Sequence, residues 1–320
     1  MLRRWLQAVP LDCERIPGAK RPPATVCAAL PGLAAELADL ARVQAEHVGE
    51  DGSARLLVAL ADGQQVESVL LPRDGVCVST QVGCAVGCVF CMTGRDGLQR
   101  QLSDAEIVAQ VALARSRRAV KKVVFMGMGE PAHNLDAVVE AIDLLGTAGG
   151  IGHKNLVFST VGDRRVFERL PRCAVKPALA LSLHSIDADL RARLLPHAPR
   201  IDPAELVELG ENYARATGYP IQYQWTVLEG VNDSEAELDG IARLLAGKYA
   251  VMNLIPYNAV EGSGFARPSA ARAEAMSFYL YERGILTKLR QSAGQDVDGG
   301  CGQLRARAAR KKRSVAAGDQ

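Results

Sequence analysis

The sequence predicts an α/β protein built on a partial (β/α)6 barrel, and three observations point there. From about residue 76 onward, short apolar strands alternate with amphipathic helices, the pattern of a parallel sheet covered by helices. Six or so such units follow one another, enough to curl into an open barrel. The unusual sequences, at 81–94, 127–134, 159–162, 182–184 and 256–258, all come just after strands, where a barrel carries its chemistry.

The elements follow in order. Residues 1–50 read as irregular apart from a helix over 34–45. Strands at 55–60 and 66–71 flank Ala61-Asp62-Gly63 and predict a hairpin with a glycine turn. A strand at 76–80 leads into the loop VSTQVGCAVGCVFCMTG. The next helix, running to about residue 117, should start at Ser103, because Ser103 with Glu106 three residues on forms a capping box. Strands are then predicted at 123–126, 156–160, 178–183, 221–228, 251–256 and 286–289. Between them lie helices at 135–145, 164–170, 188–195, 203–217, 234–245 and 269–283. The domain expectation is a small N-terminal extension with a hairpin (1–72), a core (73–304) and a basic C-terminal tail (305–320).

Composition narrows the function classes. The 320 residues are 48% hydrophobic and 5% aromatic with a net charge of +2, which excludes a disordered or fibrous chain. No run of eighteen apolar residues and no signal-peptide core occur. The expectation is a soluble cytoplasmic protein with no membrane association. The small net charge means that any nucleic-acid surface must come from local clustering, and six basic residues without an acidic one stand between Arg305 and Arg313.

Eight cysteines without a secretory context argue for metal or catalytic thiols. Cys84, Cys88 and Cys91 are spaced C-x3-C-x2-C. Zinc sites close a tetrahedron with four protein ligands, and no second Cys or His pair of that kind occurs here. Three thiolates suit a four-iron cluster better, since they leave one iron open to a ligand that is not cysteine.

That spacing, with Phe90 before the last cysteine, resembles the radical S-adenosylmethionine (SAM) superfamily. MGMGEP (126–131) with Asn134, Ser159-Thr160-Val161-Gly162, Ser182-Leu183-His184, Val231-Asn232-Asp233, NLIPYN (253–258) and DVDGGCGQL (296–304) extend the likeness over most of the chain. As an ordered set they resemble the RlmN/Cfr family of radical-SAM RNA adenine methyltransferases. The resemblance implies a radical-SAM partial (β/α)6 barrel and one [4Fe-4S] cluster held by Cys84, Cys88 and Cys91. It implies SAM contacts at Gly129, Glu130, Ser159, Ser182, Leu183, His184 and Asn258. Cys301 matches the family's methyl-carrying cysteine, Cys77 its second catalytic cysteine and Glu67 its proton acceptor. The glycines round Cys301 suit a loop that must visit two positions.

The implied reaction uses two SAM molecules per turnover, one to methylate Cys301 and one to supply a radical. An electron-poor adenine carbon cannot attack a sulfonium methyl, so a radical route is needed; Cys77 would then release the product by forming a disulfide with Cys301. The resemblance further implies an RNA partner (rRNA, tRNA or both), an electron donor such as flavodoxin or ferredoxin, and a monomer. C2 is the preferred ring position and C8 the variant. A radical-SAM enzyme with a non-RNA substrate is the alternative, although it would have no use for Cys77 and Cys301. Departures from the family occur at Gln224-Trp225, His197-Ala198 and Leu98, and only about 50 residues precede the hairpin. Cys13, Cys27 and Cys173 match no family position and read as apolar fillers.

Overall fold

In the computed structural model, which describes residues 1–12 and 22–306, a ten-stranded sheet runs through the molecule. It begins with β1 (Ala41–Val48), β2 (Ala54–Leu60) and β3 (Gln65–Leu71), which pair antiparallel and lead into β4 (Gly75–Cys77). A separate ribbon, β5 (Gln81–Gly83) with β6 (Leu98–Gln101), frames the cysteine loop. Beside β4 lie β7 (Lys122–Phe125), β8 (Leu156–Thr160), β9 (Ala178–Ser182), β10 (Ile221–Val227), β11 (Ala250–Pro256) and β12 (Thr287–Leu289), all parallel and in chain order. This is the predicted partial barrel.

The helices are α1 (Leu2–Leu6), α2 (Ala24–Asp39), α3 (Asp104–Arg115), α4 (Leu135–Gly146), α5 (Arg164–Arg169), α6 (Ala188–Leu194), α7 (Pro203–Thr217), α8 (Glu235–Leu245) and α9 (Ala270–Glu282). Ser103 caps α3 through the predicted box: its hydroxyl accepts from the Glu106 amide, and Glu106 accepts from the Ser103 amide. Polar side chains likewise start α5, α6, α7, α8 and α9, at Asp163, Asp187, Asp202, Ser234 and Ser269.

The expected helix at 34–45 is corrected. α2 stops at Asp39, and Ala41–Val48 is an edge strand whose burial alternates along its length. The Ala-rich stretch is compatible with either state. Pairing with the fully buried β2 decides it, a tertiary override of local propensity. Cys173 packs against the core as expected. Cys27 lies half-buried in α2. Cys13 and the basic residues from Arg307 onward lie outside the described residues.

Strand alternation sorts the parallel sheet into two faces. Val123, Phe125, Phe158, Leu179, Leu181, Tyr223, Trp225, Met252 and Leu254 are buried in the core. The opposite, inner face follows from the register. Cys77 pairs with Val124, Val124 with Val157, and Ser159 with Ala180; Ser182, Gln224, Asn253 and Lys288 then form one row across β9 to β12. The inner face is therefore polar, and Cys77 is on it.

Candidate active site

The cysteine loop folds on glycine. Gly87 is left-handed at φ +66°, and a Cβ on Gly94 would stand 2.8 Å from the Gly87 Cα. Only glycine allows this back-to-back approach. The loop leaves Cys84 buried and Cys88 and Cys91 half-buried, close enough for each to feel the charge of another. Burial pushes the Cys84 thiol up to about 12 and raises Cys88 and Cys91 as well. Backbone amides of Val86 and Gly87 point at Cys84, and those of Thr93 and Gly94 at Cys91.

This donor set fits an iron-sulfur cluster. Metal binding deprotonates the thiols that burial keeps neutral, and amides aimed at sulfur are a recognised control on cluster potential. Among the described residues no three His, Cys, Asp or Glu side chains converge as ligands of a single metal ion, an arrangement whose sulfurs would crowd round one centre at about 2.3 Å.

Glu130 lies where the strand ends of β7 and β8 meet. Its carboxylate accepts from the amides of Ala132 (3.1 Å) and Val161 (3.0 Å), and its own amide donates to Gln81 Oε1 at 2.7 Å. Burial nevertheless raises its pKa to about 7. Gly129 is required beside it: φ is +105°, and a Cβ would press within 2.7 Å of the Gln81 side chain.

Ser159 and Ser182 are half-buried at the ends of β8 and β9, and neither hydroxyl bonds another protein group among the described residues. Leu183 is fully buried, and its amide donates to the Gln224 carbonyl at 3.0 Å. His184 takes a left-handed φ of 62°, uncommon for a non-glycine residue. Asn232 Nδ2 holds its carbonyl at 2.7 Å, the Thr226 amide donates to its Nδ1 at 3.0 Å, and Phe90 packs on its ring edge to face at 4.9 Å. Burial, with Arg191 nearby, lowers its pKa to about 3, so the imidazole is neutral.

Cys301 is exposed at the tip of a clamped loop. Toward the cysteine loop, the Met92 amide donates to the Gly302 carbonyl at 2.8 Å, and Thr93 Oγ1 to the Leu304 carbonyl at 2.7 Å. From β11, Asn258 Nδ2 reaches the Cys301 carbonyl at 3.0 Å and Ser292 Oγ at 2.8 Å. From the hairpin, Arg55 Nε donates to the Val297 carbonyl at 2.6 Å, and Glu67 Oε2 accepts from the Arg305 amide at 2.8 Å. Glu67, only 1% exposed, also pairs with the Arg55 guanidinium.

The structure thus brings Cys301 beside both Cys91 and Cys77. Both Cys77 and Cys301 are free thiols. Cys77 is buried on the inner face; burial first, and Cys301 second, push its thiol up to about 12. Asn258 has its amide committed to the Cys301 loop, with Arg267 donating to its Oδ1 at 3.3 Å.

Sequence reasoning missed Arg191. Its guanidinium is 4% exposed, donates to the Val161 and Ser182 carbonyls, and interacts with Cys88 and Glu130. Its Nε has no hydrogen-bond partner among the described residues. On the helix pattern it is one more arginine in Leu190-Arg191-Ala192-Arg193, and nothing in the sequence separates it from exposed Arg193.

An open parallel barrel with three cysteines gathered in one loop defines a radical SAM protein, and residues 78–239 match the family model of the Radical SAM superfamily. A probable RNA methyltransferase of Aromatoleum aromaticum is 76% identical over 307 residues, covering 96% of this chain and 86% of that protein. One from Thiobacillus denitrificans is 75% identical over 308 residues, covering 96% and 85%. The crystal structure of a radical SAM methyltransferase from Sphaerobacter thermophilus superposes with a TM-score of 0.81 at 38% identity, covering 86% of each chain. The chain belongs to the radical SAM superfamily and, within it, to the family of these probable RNA methyltransferases.

Proposed function

We propose that the chain is a radical SAM RNA methyltransferase that methylates an adenine ring carbon, C2 by preference, through a methyl group carried on Cys301. The single observation that supports this most is the company Cys301 keeps: an exposed thiol on a glycine-flanked loop, beside cluster cysteine Cys91 on one side and buried Cys77 on the other. An electron carrier or a cluster used only to cleave SAM needs neither extra thiol. Bound, the [4Fe-4S] cluster and SAM would supply the methyl group and the radical that activates it.

The chain's own residues take the remaining parts. Cys84, Cys88 and Cys91 hold three irons. Gly129, Glu130, Ser159, Ser182, Leu183, His184 and Asn258 surround SAM. The free hydroxyls of Ser159 and Ser182 suit its polar groups, whereas the neutral His184 imidazole cannot form a charge pair with its carboxylate. Glu67, behind the loop, accepts the ring proton, which requires that it release the Arg305 amide. Cys77 gives up its proton and attacks Cys301 sulfur, which breaks the bond from that sulfur to the carbon on the base; the carbon keeps the electron pair and takes a proton, leaving a methyl group on the base as a Cys77–Cys301 disulfide forms. Mass spectrometry of rRNA and tRNA nucleosides from cells with and without the gene tests the reading. A 2-methyladenosine that disappears with the gene is the expected result; unchanged methyladenosines would reject it.

A further inference from the structure

The inner face of the barrel carries more than the cofactor residues. Lys122 lies on the same face as Cys77, since it precedes Val124 by two residues and Val124 pairs with Cys77. At the other edge, Lys288 pairs with Asn253 on that face. Arg290 follows two residues later, with its amide still bonded to the Leu254 carbonyl at 2.8 Å. Lys122 feels the positive charges of both Arg290 and Lys288, which add to burial in lowering its pKa.

None of the three enters an ion pair among the described residues. The acidic residue next to Lys122, Asp74, gives its carboxylate to Lys121 at 2.8 Å. Like charges set on one face make a positive patch that attracts an anion, and Lys288 and Arg290 stand exposed at it. A second observation lies in the same row. Asn253, 3% exposed, has an Nδ2 without a hydrogen-bond partner among the described residues, and a buried donor left unmade is destabilising.

We propose that Lys122, Lys288, Arg290 and Asn253 form a nucleotide subsite on the open side of the barrel. The three cations take the phosphate of the target nucleotide, and the Asn253 amide donates to an acceptor on its sugar or base. The proposal rests on the RNA reading above and deepens it. It seats one unstacked nucleotide on the face that also carries Cys77, as chemistry on a base requires.

The test measures binding of a 20-nucleotide single-stranded RNA and of adenosine 5'-monophosphate across a salt series. The wild type is compared with a triple variant (Lys122→Gln, Lys288→Gln, Arg290→Gln), with Asn253→Ala, and with Lys122→Arg/Lys288→Arg. Visible absorption of the reconstituted cluster reports an intact core in each sample. The triple variant should weaken both ligands and flatten the RNA salt slope by about 0.7, the contribution of one phosphate contact on a single strand. The double Arg variant should keep the slope. Asn253→Ala should weaken binding roughly fivefold without touching the slope. A wild type that binds RNA with a slope the triple variant shares would overturn the subsite and leave the RNA reading standing. Binding of the mononucleotide but not of RNA, lost in the triple variant, would keep the subsite and reject RNA. Failure of the wild type to bind either would reject both.

Discussion

Asn258 Nδ2 donates to the carbonyl of Cys301 at 3.0 Å, across 43 residues of chain. The bond ties the exposed Cys301 loop to the turn that follows β11. Asn258→Ala removes it along with the contact to Ser292. Amide exchange over residues 299–303 should accelerate, with a stability loss of about 1–2 kcal/mol. Hydrogen exchange read by mass spectrometry checks this; unchanged protection would mean that Met92, Thr93 and Glu67 hold the loop unaided.

Cys77→Ala should trap the reaction midway. Without the second thiol nothing releases Cys301, and a covalent protein–RNA adduct accumulates. It would be seen as a mass increase that nuclease reduces to a nucleotide remnant. An active preparation free of adduct would contradict the two-cysteine scheme.

Glu130 predicts a pH dependence. Its folded pKa of about 7 lies above the ordinary glutamate value of 4.5, so the native state binds the proton more tightly than the unfolded chain. The stability contribution is full below about pH 4.5 and is lost as pH rises through 7. Urea unfolding of the cluster-free protein at pH 5 and pH 8 should differ by about 3 kcal/mol more in wild type than in Glu130→Gln. Equal differences in the two proteins would show that the amides of Ala132 and Val161 keep the carboxylate ionised.

Arg191 predicts an effect on the cluster. It is a buried positive charge that interacts with Cys88, and net charge near a cluster tunes its potential. Arg191→Met should drive the potential more negative, while Arg191→Lys keeps the charge and most of the potential. An EPR-monitored redox titration decides. The Met variant should also be less stable by about 3 kcal/mol, because the Val161 and Ser182 carbonyls lose a buried donor and Glu130 loses a nearby positive charge.

Gly129→Ala places a Cβ against Gln81 in a backbone conformation that alanine avoids. Gln81 would shift, the Glu130 amide would lose its acceptor, and SAM affinity should fall. Calorimetric titration with SAM measures it; unaltered affinity would remove this turn from the cofactor site.

Much of this was legible in the sequence, because local chemistry repeats it. The capping box at Ser103, the strand 156–160 and the helix 203–217 occur where periodicity and turn residues put them. C-x3-C-x2-C names its own ligands, since a short loop holds all three thiols whatever surrounds it. The edge strand β1 was not legible: its alternation was too weak to outweigh an Ala-rich helical stretch until β2 offered it a partner.

What the sequence by itself determined is the donor set, the alternation of strands and helices, and the thiols at 77 and 301. Only the tertiary structure decided which groups meet. Cys301 reaches Cys77 and Cys91 because the C-terminal loop is pinned between the hairpin, the cysteine loop and β11. Arg191 becomes a buried charge beside Cys88 because α6 packs over the strand ends. Lys122 feels the charges of Lys288 and Arg290 although four strands stand between β7 and β12. Burial and proximity depend on contacts between distant segments, which no local pattern of residues records.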